Sequence, residues 1–300
     1  MEIARLSAML IVVMQHTPGE VCPLNHWFIG AALASFFLMS GYFSARHLWG
    51  AEASRWVRRR LRCLLIPYAF WCVLYWTLSG APLRAGVVCE IFGLGTCPML
   101  TPMWFVRDLI LFTLISWLFI RCRMALCGLG LFCLFLPRWM HSMAWPAPYL
   151  FGDFVLGIML AQVAPGFLKF WEHLPLSVHG AVILAGAGLV CMGSAKAQLV
   201  PSSFSGLIVA GIFSLGVIAQ RMSSVWAARL AEWAEGSFFV YCFHIFVLIA
   251  LIGAETLFPE AWPVWVWWGL TPGIYALCRG MYLLLRQFCP IALVVMTGGR

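Results

Sequence analysis

Arg5 and His16 stand eleven residues apart in an otherwise apolar opening stretch, MEIARLSAMLIVVMQH. Eleven residues is close to three α-helical turns, so both side chains are expected on one face, roughly 16 Å apart along the axis. An imidazole so placed can take and return a proton near neutral pH, and a guanidinium can hold an anion. Each alone also has a plainer reading: Arg5 snorkels to a headgroup, and His16 caps its helix. Four arginines crowd together at Arg58, Arg59, Arg60 and Arg62. Arg59 and Arg62 are three apart, share a helical face and suit phosphates gripped bidentately. A topology signal beside anionic lipid would use the same run. Trp104-Phe105-Val106-Arg107-Asp108 opens another apolar run. Adjacent residues point different ways on a helix, so Arg107 and Asp108 are each expected to seek a partner on another helix. Asp153 suits Arg107 by sign and depth. His244, after Ser237 and Tyr241, completes a polar stripe at helical spacing, although a lone His on an apolar helix is more often a satisfied packing residue.

These groups stand out because of the chain around them. Of 300 residues, 63% are hydrophobic and only 10% charged, and the mean hydropathy is +0.93. A globular domain carries roughly 25% charged residues. The composition excludes a disordered chain, a nucleic-acid-binding domain and an ordinary cytosolic enzyme. It points to a polytopic membrane protein. A charge at the centre of a membrane helix costs about 2.5–3.5 kcal/mol, so each one marks a site or an ion pair. The net charge of +8 is what excess Lys and Arg in cytoplasmic loops produce. The twelve cysteines show no metal-ligand spacing, and most lie in apolar runs where Cys acts as a small hydrophobe. Cys89 and Cys97 share one loop and would be able to pair if that loop is exported. No metal-ligand set is visible.

The elements that must position these residues follow from the apolar runs. Ten spans are expected, near residues 3–16, 27–45, 63–78, 103–120, 124–136, 148–163, 176–194, 204–220, 237–253 and 264–285. The fold class is therefore all-α, a polytopic transmembrane bundle forming one domain over residues 1–300, with no repeat and no appended soluble domain. Val225 to Glu235 is amphipathic and is expected to lie along the interface. Thirteen Lys and Arg fall on one side (among them Arg46, Arg55, Arg121, Lys169 and Arg286), and only Arg84, Arg138 and Lys196 on the other. The first group is expected to be cytoplasmic, with both termini inside. The first run is polar at both ends and lacks a small-residue cleavage site, so it is read as a retained span rather than a signal peptide.

Taken together the motifs resemble the family-3 membrane acyltransferases, ten-span enzymes that O-acylate sugars and other cell-envelope acceptors. Arg5 and His16 match that family's Arg, ten residues, His pattern in span 1. FFLMSGYF (Phe36 to Phe43) resembles its Ser-Gly-aromatic motif. RRRLRCLLIPYAFW (Arg58 to Trp71) is similar to its basic Arg-x-x-Arg motif leading into an Ile-Pro-Tyr helix. MWFVRDL (Met103 to Leu109) resembles the Trp-Phe-Leu-Arg-Asp-Leu opening of span 4, SFFVYCFH (Ser237 to His244) a late Tyr-x-x-His, and the terminal Thr-Gly-Gly-Arg is also similar. No one motif is specific, but five in family order are. The segment before Arg5 is shorter than in most members, and the fused hydrolase-like or racemase domains of some members are not in this chain.

The resemblance implies an O-acyltransferase of the inner membrane with acyl-CoA, acetyl-CoA above all, as co-substrate and no permanently bound cofactor. Arg59 and Arg62 would hold the CoA phosphates, and Ser40 and Gly41 would let the pantetheine arm pass. His16 would act as general base, Arg5 would orient the donor, and Arg107 would steady the oxyanion or hold Asp108 or Asp153. Trp104, Asp153, Tyr241 and His244 remain further site candidates. The expected partners are membrane lipid, a carbohydrate or lipid-linked sugar acceptor and a separate periplasmic protein, without nucleic acid. Proton-coupled transport or flipping is the competing reading, since intramembrane Arg, Asp and His serve it equally. That reading predicts an inverted repeat, and residues 1–150 and 151–300 show none. A passive assembly or sensor role would leave the charges without a purpose.

Overall fold

The structure is a computed structural model that describes residues 2–16, 25–78, 103–119, 121–135, 147–195, 205–222, 224–255 and 264–299. Cys89 and Cys97 lie outside them. Among the described residues all regular structure is helical, in thirteen helices. These are α1 (Glu2–Gln15), α2 (Asn25–Leu48), α3 (Ala53–Leu78), α4 (Trp104–Leu118), α5 (Arg123–Phe135), α6 (Pro148–Val163), α7 (Phe167–His173), α8 (Leu176–Ala195), α9 (Ser205–Met222), α10 (Ser224–Ala234), α11 (Ser237–Glu255), α12 (Val264–Phe288) and α13 (Pro290–Thr297). Each of the ten expected spans holds one of these helices, and the amphipathic stretch is α10. The short α7 and α13 are additions.

Length qualifies the ten-span expectation. Among the described residues only Ala53–Leu78 is by itself long and apolar enough to cross a bilayer. Two bent pairs reach that length together, α6 with α7 at 84° and α10 with residues 237–253 of α11 at 62°. Large apolar side chains point outward all the same: Met124 is 83%, Val163 85% and Ile291 82% exposed. In water such surface promotes association, whereas lipid tails cover it without cost.

The chain divides into two compact units. One comprises residues 1–36 and 166–284. Here α1 packs on α9, α10 and α11, and α8 pairs with α9. The corner from α10 into α11 turns on Gly236 at φ +77°, where a β-carbon would lie 2.8 Å from the Tyr282 ring. Only glycine meets both demands. The other unit comprises residues 37–165 and 285–300. In it α6 is the central strut. Gly41 of α2 and Gly157 of α6 cross so closely that a β-carbon on either would overlap the other helix's backbone, at Phe154 and Leu38 respectively. Phe37 and Phe112 are fully buried, their rings tilted 54° to each other with centres 5.1 Å apart. At the end of the chain α13 closes against α3: the Trp71 indole donates to the Met296 carbonyl at 2.9 Å, and Gly298, at φ +70°, leaves no room for a side chain against Cys63.

Two threonine hydroxyls within these apolar helices bond their own backbone. Thr113 donates to the Leu109 carbonyl at 2.7 Å and Thr297 to Leu293 at 2.8 Å. That spares a polar group from going unsatisfied where no water competes.

Candidate functional site

The unit of residues 1–36 and 166–284 carries the imidazole pair. His16 sits in the turn that ends α1, where the last carbonyls have no helical partner. Its Nδ1 lies 2.8 Å from the Val12 carbonyl. A carbonyl only accepts, so Nδ1 carries the proton and the lone pair resides on Nε2. Among the described residues no hydrogen bond reaches Nε2. The capping reading and the proton-transfer reading therefore use different nitrogens, and both hold at once. His244, on α11, is fully buried, and its Nε2 lies 3.3 Å from His16 Nδ1. The rings meet edge to face, 66° apart with centres at 5.0 Å. Tyr241, one turn earlier, supplies the carbonyl that accepts from His244 Nδ1 at 2.7 Å. Spacing along one helix had proposed the Tyr241–His244 stripe; only the fold brings it to His16.

Arg5 lies on the uninterrupted α1, half-buried. It is within electrostatic reach of Tyr275 on α12, whose hydroxyl donates to the Trp233 carbonyl at 2.7 Å. The same unit holds a second buried imidazole that sequence reading missed. His179 Nδ1 is 3.0 Å from the Ser214 hydroxyl, with Trp171 edge-on at 5.6 Å. It is fully enclosed and ties α8 to α9.

The unit of residues 37–165 and 285–300 carries the basic groups. An open hollow of about 350 Å³ is lined by Arg46, His47, Gly50, Ala51, Glu52, Arg55, Trp56 and Arg59. Arg55 is paired with Glu52 at 2.7 Å, which leaves Arg46 and Arg59 as its net positive charge. The His47 ring lies parallel to Trp56, 9° off with centres at 5.4 Å, and the Arg60 guanidinium stands 5.0 Å over the same indole. Arg60 also donates to the Ser40 hydroxyl, whose own backbone carbonyl accepts from Ser44. Arg60 thus holds α2 and α3 together beside the hollow, while Arg62 is exposed and outside its lining. The basic run is part of α3 itself, so helical register assigns each arginine its own direction. Arg46 and His47 had a visible signal, being the basic last turn of α2, the helix that precedes the run.

Two expectations change in this unit. The resemblance implies a passage for a donor's arm at Gly41, but the side of Gly41 where a β-carbon would stand is filled by the backbone of α6. Its smallness serves helix crossing. Arg107 and Asp108 were expected to look away from each other, yet Arg107 Nε donates to Asp108 Oδ1 at 2.9 Å, both buried. Both nitrogens that face the carboxylate take part, Nη2 standing 2.8 Å from the same Oδ1. Asp108 does reach another helix as well: its Oδ2 accepts the Ala147 backbone N–H at 3.0 Å. Ala147 precedes Pro148, which opens α6. The proline holds its predecessor extended, and the carboxylate meets an N–H at the positive end of the helix. Trp104 and Asp153 are half-buried on α4 and α6. Among the described residues no group of three or more metal-ligating side chains gathers.

No curated protein and no solved structure matches the chain. The family model described as acyltransferase domain matches residues 1–282. That match spans both units and all of the polar groups just placed, from Arg5 and His16 through the basic hollow to His244, and the chain accordingly belongs to acyltransferase family 3.

Proposed function

We propose that the protein is a multi-pass inner-membrane enzyme that moves an acyl group, acetyl foremost, from cytosolic acyl-CoA to a hydroxyl of a cell-envelope carbohydrate or lipid-linked sugar. The observation that carries this reading is His16: its Nδ1 is committed to Val12, so a lone pair stands at Nε2 on a helix bearing the family's Arg–His spacing. In the proposed reaction Nε2 takes the proton of the acceptor hydroxyl as that oxygen attacks the thioester carbonyl. Collapse of the tetrahedral adduct then expels the thiolate, which recovers the proton from Nε2. Arg5 orients the donor. Arg46 and Arg59, lining the hollow with His47 and Trp56, receive the phosphates of CoA. Arg107 serves by holding Asp108, the second of the roles the sequence left open. The basic face lies on the cytoplasmic side, and membrane lipid and a separate periplasmic protein are the proposed partners.

Thiol release from acetyl-CoA by the protein in proteoliposomes, with and without envelope extract, tests this reading. Extract-stimulated release that disappears in His16→Ala, at an unchanged melting temperature, is the expected result. Equal release in both proteins would remove His16 from the chemistry. No release with either acetyl-CoA or succinyl-CoA would overturn the CoA-donor assignment.

A further inference from the structure

We infer that His244 is a positioning residue for His16: it is the second acceptor for the His16 Nδ1 proton, and by holding that proton it keeps Nε2 the reactive atom. The inference rests on the proposed role of His16 as base. His244 Nδ1 lies 2.7 Å from the Tyr241 carbonyl and 3.2 Å from the Val240 carbonyl. Both are acceptors only, so Nδ1 is protonated, and a neutral His244 keeps its lone pair on Nε2. That lone pair is 3.3 Å from His16 Nδ1, which is itself protonated because it meets Val12 at 2.8 Å. The His16 proton is therefore shared between a carbonyl of its own helix and an imidazole supplied by α11, 228 residues later in the chain.

The two acceptors do different work. Val12 lies four residues back on the same helix, and a single bond to it leaves the His16 ring free to pivot about that contact. The edge-to-face approach of His244 fixes the plane of the ring as well. His244 cannot meet a substrate itself, since it is fully buried and both of its nitrogens are engaged. Its influence runs through His16 alone. When His16 Nε2 has taken the acceptor's proton, the cation's Nδ1–H finds two acceptors already in place, with no solvent needed to reorganise around it. No atom leaves His244 in this scheme, and every proton that His16 takes up it returns to the leaving thiolate.

The test compares His244→Leu, which cannot accept a hydrogen bond, with His244→Gln, whose Oε1 presents an acceptor near the place of Nε2. The expected outcome is a fall of about 10- to 100-fold in kcat for His244→Leu, with the donor KM unchanged, and recovery to within a few-fold in His244→Gln. Nitrogen-15 spectra of histidine-labelled protein in bilayers read the tautomer directly, with His16 identified by its absence in His16→Gln. His16 should be protonated at Nδ1 in the parent and in His244→Gln, and a mixture of tautomers in His244→Leu. If the leucine variant does not fold, as judged by its tryptophan-fluorescence melting curve, His244→Met carries the same comparison. Activity of the leucine or methionine variant within twofold of the parent would overturn the inference, as would equal losses in the apolar and glutamine variants. A tautomer identical in all of them would do the same. The reading beneath it fails separately: an active His16→Ala would dismiss His16 as base whatever the His244 variants do.

Discussion

The two units of the chain hold polar groups in opposite ways. In residues 1–36 and 166–284, two imidazoles are joined nitrogen to nitrogen at 3.3 Å, one of them wholly buried. In residues 37–165 and 285–300, exposed arginines surround an open hollow, and a buried pair, Arg107 with Asp108, is bound up with a helix start. A buried atom with assigned partners acts all or none, because nothing replaces it when it is lost. Exposed charges act by a summed field that water and salt dilute. Chemistry is therefore expected to be concentrated in the first unit, and donor capture together with most charge-borne stability in the second. The largest effect that tests this division is His16→Ala, expected to lower kcat by about 10²- to 10⁴-fold. Donor affinity, measured by CoA displacement, should stay the same. A variant that lost affinity but kept kcat would reverse the division.

Next in size is the buried ion pair. Removing one partner strands the other, which costs about 3–5 kcal/mol. Asp108→Asn also weakens the acceptor for the Ala147 N–H, so it should lower the melting temperature steeply. The fraction that remains folded should turn over normally. An Asp108→Asn protein of parental stability with no activity would move this pair into the chemistry and break the comparison.

The glycines sharpen the second unit further. A β-carbon at Gly157 would overlap the Leu38 backbone and one at Gly41 that of Phe154, whereas at Gly128 it would meet nothing within 4 Å. Gly157→Ala and Gly41→Ala should each destabilise by about 1–3 kcal/mol, and Gly128→Ala should be neutral or stabilising by up to about 1 kcal/mol. The donor KM of folded Gly41→Ala should be unchanged; a raised KM at full stability would restore the ligand passage that the sequence suggested.

These cases also show what the sequence could and could not convey. Helix positions were legible because apolar runs and Pro or Gly boundaries are local: Pro148 opens α6 where expected. Short α7 and α13 were not, since a helix of one or two turns depends on what it packs against, here Trp71 at Met296 for α13. Arg5 and His16 were legible as a spacing on one helix. The meeting of His16 with His244 was not, because nothing local links residues 228 apart. Gly41 looked the same whether a ligand or a helix filled its open side, and only the approach of Phe154 decided between them.

The smallest expected effects separate two arginines that the helical spacing treats as equals. Arg59 lines the hollow and Arg62 does not, although they lie three apart on α3 and are both exposed. If the hollow is where donor phosphates settle, Arg59→Ala should raise the donor KM about two- to fivefold at low salt, the size expected of an exposed charge contact. Arg62→Ala should change it by less than about twofold, since at that distance it contributes only to the field. Raising the ionic strength should shrink the Arg59 effect without abolishing it, because a direct contact is screened less than a distant charge. Neither variant should alter kcat. Equal effects for the two, vanishing together with salt, would mean that the run from Arg58 to Arg62 attracts anions diffusely, and the second unit would then contribute a charged surface in place of a docking site.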